Sequence, residues 1–379
     1  MDVITMISFK IDFWFGILVV LVSSTLNLQT VDAASSNFKT FQIKLSEPCE
    51  GYCTRHAPPM IYKGRIYARG FDNFLYALDQ STGVVIHTYD TERSSSFEPV
   101  VNNDTLYVSA WKMYAFDLNN NQLKWKTGWA VSSKPVLDEG VLYWGARGAL
   151  IAVDSMTSEI KWRFELTGAH FSTPLIHHKH VFVGNYDQMV GQDSGYYSLN
   201  KNTGEMEWVI DNSYGYPERL SGFIATPCAI GDRIYMGTTA GVIFTHDSNS
   251  GGIGWFYMPK SIFADFSASP FCDSDKIYAV SGHAGYLYSF DGKKNKYLWR
   301  FESKKDLRSS PVVHNDIVFF GSDDEYMYAI YKETGELKWK FKADGKIRSR
   351  PTIDNGIVYF TTLAGSLYAI DENTGTLDQ

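Results

Sequence analysis

Several features that mark common protein classes are scarce or missing in this chain. Only 4 of its 379 residues are cysteines, no two of them are adjacent, and neither a Cys-x-x-Cys-His nor a Gly-x-Ser-x-Gly motif occurs. The sequence therefore gives no support to a c-type haem or to a serine nucleophile. The formal net charge is −7 and no basic block is present. Nucleic acid is therefore not an expected partner, because its binding depends on clustered positive charge.

Long apolar runs are also scarce. The main one extends from Phe13 to Val22 after Lys10, and Val31-Asp32-Ala33 offers small residues at the positions that signal peptidase reads. We predict a signal peptide over residues 1–33, with an uncleaved signal anchor as the alternative and no transmembrane segment in the mature chain. The mature protein is then exported, to the secretory pathway lumen or the extracellular space, or to the periplasm if the host is a bacterium.

What the chain does contain is a repeat of about 40 residues. In each repeat a proline is followed, eight residues later, by tyrosine or phenylalanine inside an apolar run. The pairs are Pro59 and Tyr67, Pro99 and Tyr107, Pro135 and Tyr143, Pro174 and Phe182, Pro227 and Tyr235, Pro270 and Tyr278, Pro311 and Phe319, and Pro351 and Tyr359. A unit this short cannot bury its own apolar faces, so the units must pack on one another.

Each repeat has the pattern of four short β-strands. Alternating apolar residues lie between turn residues, and no apolar stripe with helical spacing is present after residue 33. A later strand in most repeats carries tryptophan, and the turn before it has Gly, Asn or, once, Ser158, as a turn with positive φ requires. We call the four strands A to D, with the proline just before strand A.

Four-stranded antiparallel units with this period predict an all-β, eight-bladed β-propeller over residues 34–379, with blades starting near the eight repeat prolines. The last repeat lacks a fourth strand. We expect the strand-like stretch from Phe41 to Leu45 to complete the last blade and close the ring. The alternative is that the chain simply ends before that strand.

The repeat resembles that of PQQ-like β-propellers, which include the quinoprotein dehydrogenases and the BamB-type outer-membrane assembly factors. The likeness rests on Tyr76 to Gly83, on Tyr328-Ala329-Ile330 with Thr334-Gly335, and on Tyr368 to Gly375. For the dehydrogenases the resemblance implies pyrroloquinoline quinone (PQQ), calcium and a disulfide of adjacent cysteines, which this chain lacks. For the assembly factors it implies a lipoprotein cysteine at the cleavage site, yet the first cysteine here is Cys49.

We therefore predict a non-catalytic binding or assembly module with no catalytic residue, metal or cofactor. A PQQ-dependent oxidoreductase with calcium is the alternative. The expected partner is a protein or a polar ligand bound on one face of the propeller.

Loop lengths indicate where that face is elaborated. The B–C connection of repeat 4 spans 15 residues against 7 to 10 elsewhere, and the D–A connections after repeats 4 and 5 span 19 and 15 against 10 to 12. B–C and D–A connections leave the same side of a four-stranded blade, so all three crowd one sector. The candidate binding residues there are Tyr186, Asp187, Asp193, Tyr214, Tyr216, Glu218, Arg219, Asp265 and Phe266. The alternative is that these side chains only pack over one another as a cap.

The remaining candidates are smaller. We expect a weaker patch on the same face from Trp111, Trp129 and Arg147, whereas Arg308 and Arg348 lie near the inner rim, either binding an anion in the channel or merely solvated. The A–B turn at Asn103 carries a glycosylation sequon. The disulfide candidates are Cys49 with Cys53, four residues apart, and Cys228 with Cys272, whose thiols point either toward or away from each other.

Overall fold

The computed structural model describes residues 39–49, 57–93, 97–186, 195–211, 222–259 and 265–377. These ranges contain 31 β-strands and no helix, so they contain no helix that could cross a membrane. The predicted signal peptide, residues 1–33, lies outside them. The strands are β1 (Phe41–Lys44), β2 (Met60–Tyr62), β3 (Arg65–Arg69), β4 (Phe74–Asp79), β5 (Val85–Asp90), β6 (Val100–Asn102), β7 (Thr105–Ser109), β8 (Met113–Asp117), β9 (Gln122–Lys126), β10 (Val136–Asp138), β11 (Val141–Asp154), β12 (Ile160–Phe171), β13 (Leu175–His177), β14 (His180–Tyr186), β15 (Tyr196–Asn200), β16 (Met206–Ile210), β17 (Cys228–Ile230), β18 (Arg233–Gly237), β19 (Ile243–Asp247), β20 (Ile253–Tyr257), β21 (Phe271–Asp273), β22 (Lys276–Ser281), β23 (Tyr286–Asp291), β24 (Lys296–Glu302), β25 (Val312–His314), β26 (Ile317–Gly321), β27 (Tyr326–Tyr331), β28 (Leu337–Lys342), β29 (Thr352–Asp354), β30 (Ile357–Thr361) and β31 (Ser366–Asp371).

The strands pair in chain order as antiparallel sheets, which confirms the predicted all-β class. Repeats 1, 2, 5, 6 and 7 each form a separate four-stranded sheet. Repeats 3 and 4 share one seven-stranded sheet, because the B and C strands of repeat 3 run together as β11 and β12 continues far enough to pair with β14. In the last repeat β1 pairs with β31, with Phe41 opposite Ala369.

Within the described ranges the hydrophobic core consists of eight clusters, each shared by two successive repeats. One cluster joins repeat 1 to repeat 2 through Tyr67 and Leu106, and the series continues along the chain. The eighth joins the last repeat to the first through Tyr359 and Ile66. No sheet in the described ranges closes on itself, so the count of eight blades and the closed ring stay predictions, which this circuit of contacts supports.

The turns between strands C and D show why glycine is frequent there. The eight predicted turn residues all have positive φ, from 52° at Asn295 to 75° at Gly335, and Ser158 has 64°. At Gly335 a second reason applies, since a Cβ atom would lie 2.7 Å from the indole of Trp299 in the preceding repeat. The D-strand tryptophan therefore packs on the next repeat's turn, and a small residue lets it approach.

Most of these tryptophans are also fixed by a hydrogen bond between repeats. The Nε1–H of Trp125, Trp162, Trp299 and Trp339 donates to the carbonyl oxygen of Ser155, Lys201, Lys332 and Glu372, respectively. Each bond satisfies a partly buried indole and sets the position of the neighbouring repeat. The tryptophans thus hold the repeats together.

One pair of neighbouring repeats is linked covalently as well. Cys228 at the start of β17 and Cys272 in the middle of β21 form a disulfide, with Cα atoms 5.7 Å apart. Of the two orientations left open by the sequence, the thiols therefore face each other. Cys49 is also disulfide-bonded, while its predicted partner Cys53 lies outside the described residues.

Candidate binding site at the loop face and central cavity

The connections between strands divide between two faces of the protein. On the first, which we call the loop face, D–A connections bond to B–C turns, as where the Leu307 N–H donates to the carbonyl of Gly282 and Ile347 to that of Ser322. On the second, A–B turns bond to C–D turns, as where Lys332 donates to the carbonyl of Asp316. The long connections of repeats 4 and 5 belong to the loop-face type.

Most of the predicted contact residues in that sector lie outside the described residues. These are Asp187, Asp193, Tyr214, Tyr216, Glu218 and Arg219. Tyr186 ends β14, where its backbone pairs with His170. The structure therefore places the base of the sector, and the role of these side chains stays a prediction.

Phe266 and Asp265 of this sector are turned toward the fold. Phe266 is 1% exposed and packs between repeats 5 and 6 against Tyr288. Asp265 accepts hydrogen bonds from the backbone N–H of His283 at 3.1 Å and from the hydroxyl of Ser267 at 3.3 Å. We leave both out of the proposed contact surface, because their side chains already have partners or are buried.

The three residues of the weaker predicted patch differ in exposure, and their joint role stays a prediction. Trp111 is 50% exposed, and the guanidinium of Arg93 lies 4.7 Å from the centre of its ring. Trp129 instead packs partly buried against the core cluster of repeats 2 and 3. Arg147 lies on the solvent side, at a register shift in β11. Only the Trp111 and Arg93 pair has the half-exposed aromatic surface of a contact site.

The central feature of the structure is a cavity of about 460 Å³ that is lined by residues of all eight repeats. In each repeat the proline before strand A is buried, and the residue that precedes it is half-buried and lines the cavity. We call these eight residues the pre-proline ring. They are Pro58, Glu98, Lys134, Thr173, Thr226, Ser269, Ser310 and Arg350.

The ring is divided into a charged half and a hydroxyl half. Hydroxyls of repeats 4, 6 and 7 accept hydrogen bonds from the backbone N–H of the preceding repeat: Thr173 from Lys134 at 3.2 Å, and Ser269 from Thr226 and Ser310 from Ser269, both at 3.0 Å. On the other side Glu98 contacts Lys134 at 2.5 Å and Arg350 at 3.0 Å. Arg350 and Glu98 are 252 residues apart in the chain, so only the arrangement of repeats about one cavity brings them together.

The charges around Glu98 do not cancel. Burial favours the neutral acid, but Lys134 and Arg350 together outweigh it and lower the pKa of Glu98. The carboxylate is therefore ionised at neutral pH and compensates one of two cations. This half of the ring carries one excess positive charge beside a row of hydroxyl groups.

Two further arginines line the cavity, and these are the ones that the sequence placed at its rim. Arg348 makes a two-pronged contact with Asp323, at 2.8 Å from Nε and 2.6 Å from Nη2. Nη2 of Arg308 lies 3.2 Å from Oδ2 of Asp306. The same carboxylate oxygen lies 3.0 Å from Nδ1 of His283. Both arginines line the cavity as cations paired on its rim, so the excess charge comes from Lys134 and Arg350.

Two other predictions concern glycosylation of Asn103 and metal binding. Asn103 lies exposed in the turn between β6 and β7, with φ of 46°, where a glycan has access to solvent. Within the ranges that the structure covers, no group of three or more His, Cys, Asp or Glu side chains is arranged to hold a metal ion. Glycosylation at Asn103 and the absence of a metal both stay predictions.

Sequence reasoning missed Glu98, Lys134 and Arg350. Their signal was present, since each lies directly before a repeat proline, but which way a pre-proline side chain points is not readable from spacing alone. It also placed Asp265 and Phe266 in the contact surface, because loop length shows where a segment lies and not which side chains turn inward.

Comparison with known proteins gives one family. A profile described as outer membrane protein assembly factor BamB matches residues 19–128, 111–296 and 283–378. BamB from Moraxella catarrhalis is similar in structure, with a TM-score of 0.69 and 13% identity, over 87% of this chain and 98% of that one. Quinohemoprotein alcohol dehydrogenase from Comamonas testosteroni has a TM-score of 0.68 and 14% identity, over 89% of this chain and 77% of that one. At these identities the structural likeness concerns the fold alone.

A curated relative is the serine/threonine-protein kinase AfsK of Streptomyces griseus. It is 23% identical in an alignment of 268 positions that covers 57% of this chain and 31% of the kinase. The chain thus spans about a third of that protein's length.

Proposed function

The chain belongs to the family of the outer membrane protein assembly factor BamB, and from this premise we propose that it is an exported, non-catalytic binding and assembly module. Its loop face contacts a protein partner through the long connections of repeats 4 and 5. The observation that carries the proposal is the concentration of three long connections in one sector of an otherwise regular scaffold.

The scaffold suits such a role because it is rigid where the loops are anchored. The base of the sector is fixed by the disulfide between Cys228 and Cys272 and by Phe266, buried between repeats 5 and 6. Loops held at both ends by such a base lose less conformational entropy on binding than free ones. Tyrosine and arginine, which the sequence places in these loops, are residue types enriched at protein interfaces.

The test is a comparison of partner capture by two triple variants. The tagged protein is cross-linked in its host, and captured proteins are quantified by mass spectrometry. We expect Tyr214→Ala, Tyr216→Ala and Arg219→Ala together to lose at least one partner that the wild type captures. A control replaces two partly exposed tyrosines and a lysine of the other face, Tyr297, Tyr331 and Lys294, by alanine and should keep that partner. Equal capture by both variants would contradict the proposal.

A PQQ-dependent oxidoreductase finds less support in the residues around the cavity. Among its described lining residues the one carboxylate is Glu98, whose oxygens are held by Lys134 and Arg350 rather than open to calcium. The lining disulfide joins two repeats instead of adjacent cysteines. An absorbance titration of the purified protein with PQQ and calcium checks this, and saturable binding would restore the enzyme alternative.

A further inference from the structure

We propose that the cavity receives an acidic peptide segment of the protein partner, with its carboxylates bound by the charged half of the pre-proline ring. This inference rests on the proposed function and names the chemistry of the partner. It is carried by the cavity and its charge, which are independent of the loop sector.

The first argument is charge complementarity. Lys134 and Arg350 share the single carboxylate of Glu98, so one positive charge is left without a compensating anion in the ring. The two side chains keep 31% and 37% of their surfaces exposed, so their donors can reach a ligand. An incoming carboxylate would take a second charge-assisted hydrogen bond from each cation without displacing Glu98.

The second argument is the character of the other walls. The cavity is also lined by four of the buried repeat prolines and by apolar side chains that include Val136, Leu175 and Phe271. A small inorganic anion would leave these walls in contact with water. A peptide that carries both acidic and apolar side chains covers them, and its carboxylates and backbone find the hydroxyls of the ring as further partners.

The third argument is position. The pre-proline residues end the D–A connections, and these connections form the loop face together with the B–C turns. A partner held by the long connections of repeats 4 and 5 therefore has the cavity rim within the same face. One segment of that partner can then enter the cavity.

The test measures binding of a labelled peptide of alternating glutamate and leucine by fluorescence anisotropy, against the same peptide with glutamine. We expect the wild type to bind the glutamate peptide, more weakly at high salt, and not the glutamine peptide. Equal binding of both peptides, or of neither, would overturn the proposal. Full competition by inorganic phosphate at the concentration of the peptide would do so as well, since the ligand would then be a small free anion.

The matched variants use side chains that other repeats already have in the ring. Glu98→Ser, Lys134→Thr and Arg350→Ser together give a neutral ring and leave no carboxylate buried without its cations. We expect this variant to melt near the wild type and to bind the glutamate peptide about tenfold more weakly or worse. The control Lys124→Thr, Lys296→Ser and Glu336→Ser makes the same change in net charge on exposed positions of outer strands and turns and should bind normally.

Failure of the cavity inference and failure of the proposed loop-sector function give different experimental results. If the neutral-ring variant still captures the cross-linked partner and binds the peptide as the wild type does, the cavity inference is wrong while the loop-sector function stands. If partner capture is lost with the neutral ring and kept with the loop triple variant, the cavity inference stands and the proposed loop sector is wrong.

Discussion

His246 is the residue whose replacement we expect to change the stability of the fold most informatively. It lies in β19 at a position that is apolar in the other seven repeats, as at Leu199 and Phe290. Its side chain is buried, and Nε2 has no hydrogen-bond partner in the described part of the chain. Nδ1 lies 3.3 Å from the carbonyl of Asp247, so Nδ1 carries the proton and Nε2 is an unused acceptor.

The surroundings disfavour a charged ring. Trp208 and Tyr196 lie beside it, with ring centres 5.1 and 5.0 Å away, and their own Nε1 and hydroxyl also have no partner among the described residues. Burial lowers the pKa of His246 to about 4, although the bond to Asp247 acts in the opposite direction. Protonation of this imidazole therefore destabilises the packing of repeat 4 against repeat 5.

The sign of the pH effect follows from this pKa. Because the folded pKa is below the unfolded value, the neutral ring favours folding fully above pH 6.5, and this contribution is lost as the pH falls toward 4. With the two values 6.5 and about 4, linkage gives a loss of about 2.5 kcal/mol between pH 7.5 and pH 4.5.

The assay is urea unfolding of the wild type and of His246→Leu at both pH values. We expect the wild type to lose about 2.5 kcal/mol more than the variant on acidification. At pH 7.5 the variant should be as stable as the wild type or more so, since it removes an unsatisfied buried acceptor. The comparison uses the change in unfolding free energy between the two pH values for each protein, so any pH-independent effect of the substitution on packing cancels. An equal loss in both proteins would refute the reasoning.

Two further predictions concern the contacts between repeats. Gly335→Ala should destabilise the fold by about 2–4 kcal/mol, because it combines an unfavourable φ with overlap on Trp299, whereas Gly356→Ala, with φ of 78° and open space, should cost only about 1–2 kcal/mol. Equal losses in thermal unfolding would argue against the glycine and tryptophan contact. Replacing Cys228 and Cys272 by alanine should cost up to about 4 kcal/mol relative to the disulfide-bonded wild type, as expected for a closed loop of this length. An unchanged denaturation midpoint would contradict a stabilising role.

Much of the fold could be predicted because the same pattern of residues occurs in eight repeats, so each inference could be checked in all of them. Strand order, the positive φ at Ser158 and the pairing of Phe41–Lys44 with the last repeat all followed from spacing. These features depend on local backbone geometry and on the burial of apolar faces, both of which a periodic sequence displays directly.

What could not be predicted depends on contacts between distant parts of the chain. The extension of β12 to β14 depends on how two repeats meet, and the contact of Glu98 with Arg350 depends on where repeats 2 and 8 place their strand A. Spacing likewise placed Phe266 on a long connection without showing that it turns into the core. Side-chain direction in irregular segments is set by tertiary packing, and no periodic sequence pattern indicates it.

The most direct test of the central claim is hydrogen–deuterium exchange of the protein saturated with the glutamate and leucine peptide. We expect slower exchange in the segments that carry the pre-proline ring, around Glu98, Lys134 and Arg350, and in the connections of the loop face. Slower exchange confined to the outer strands β9, β24 and β28 would contradict it, because the ligand would then lie on the rim of the repeats and not at their common cavity.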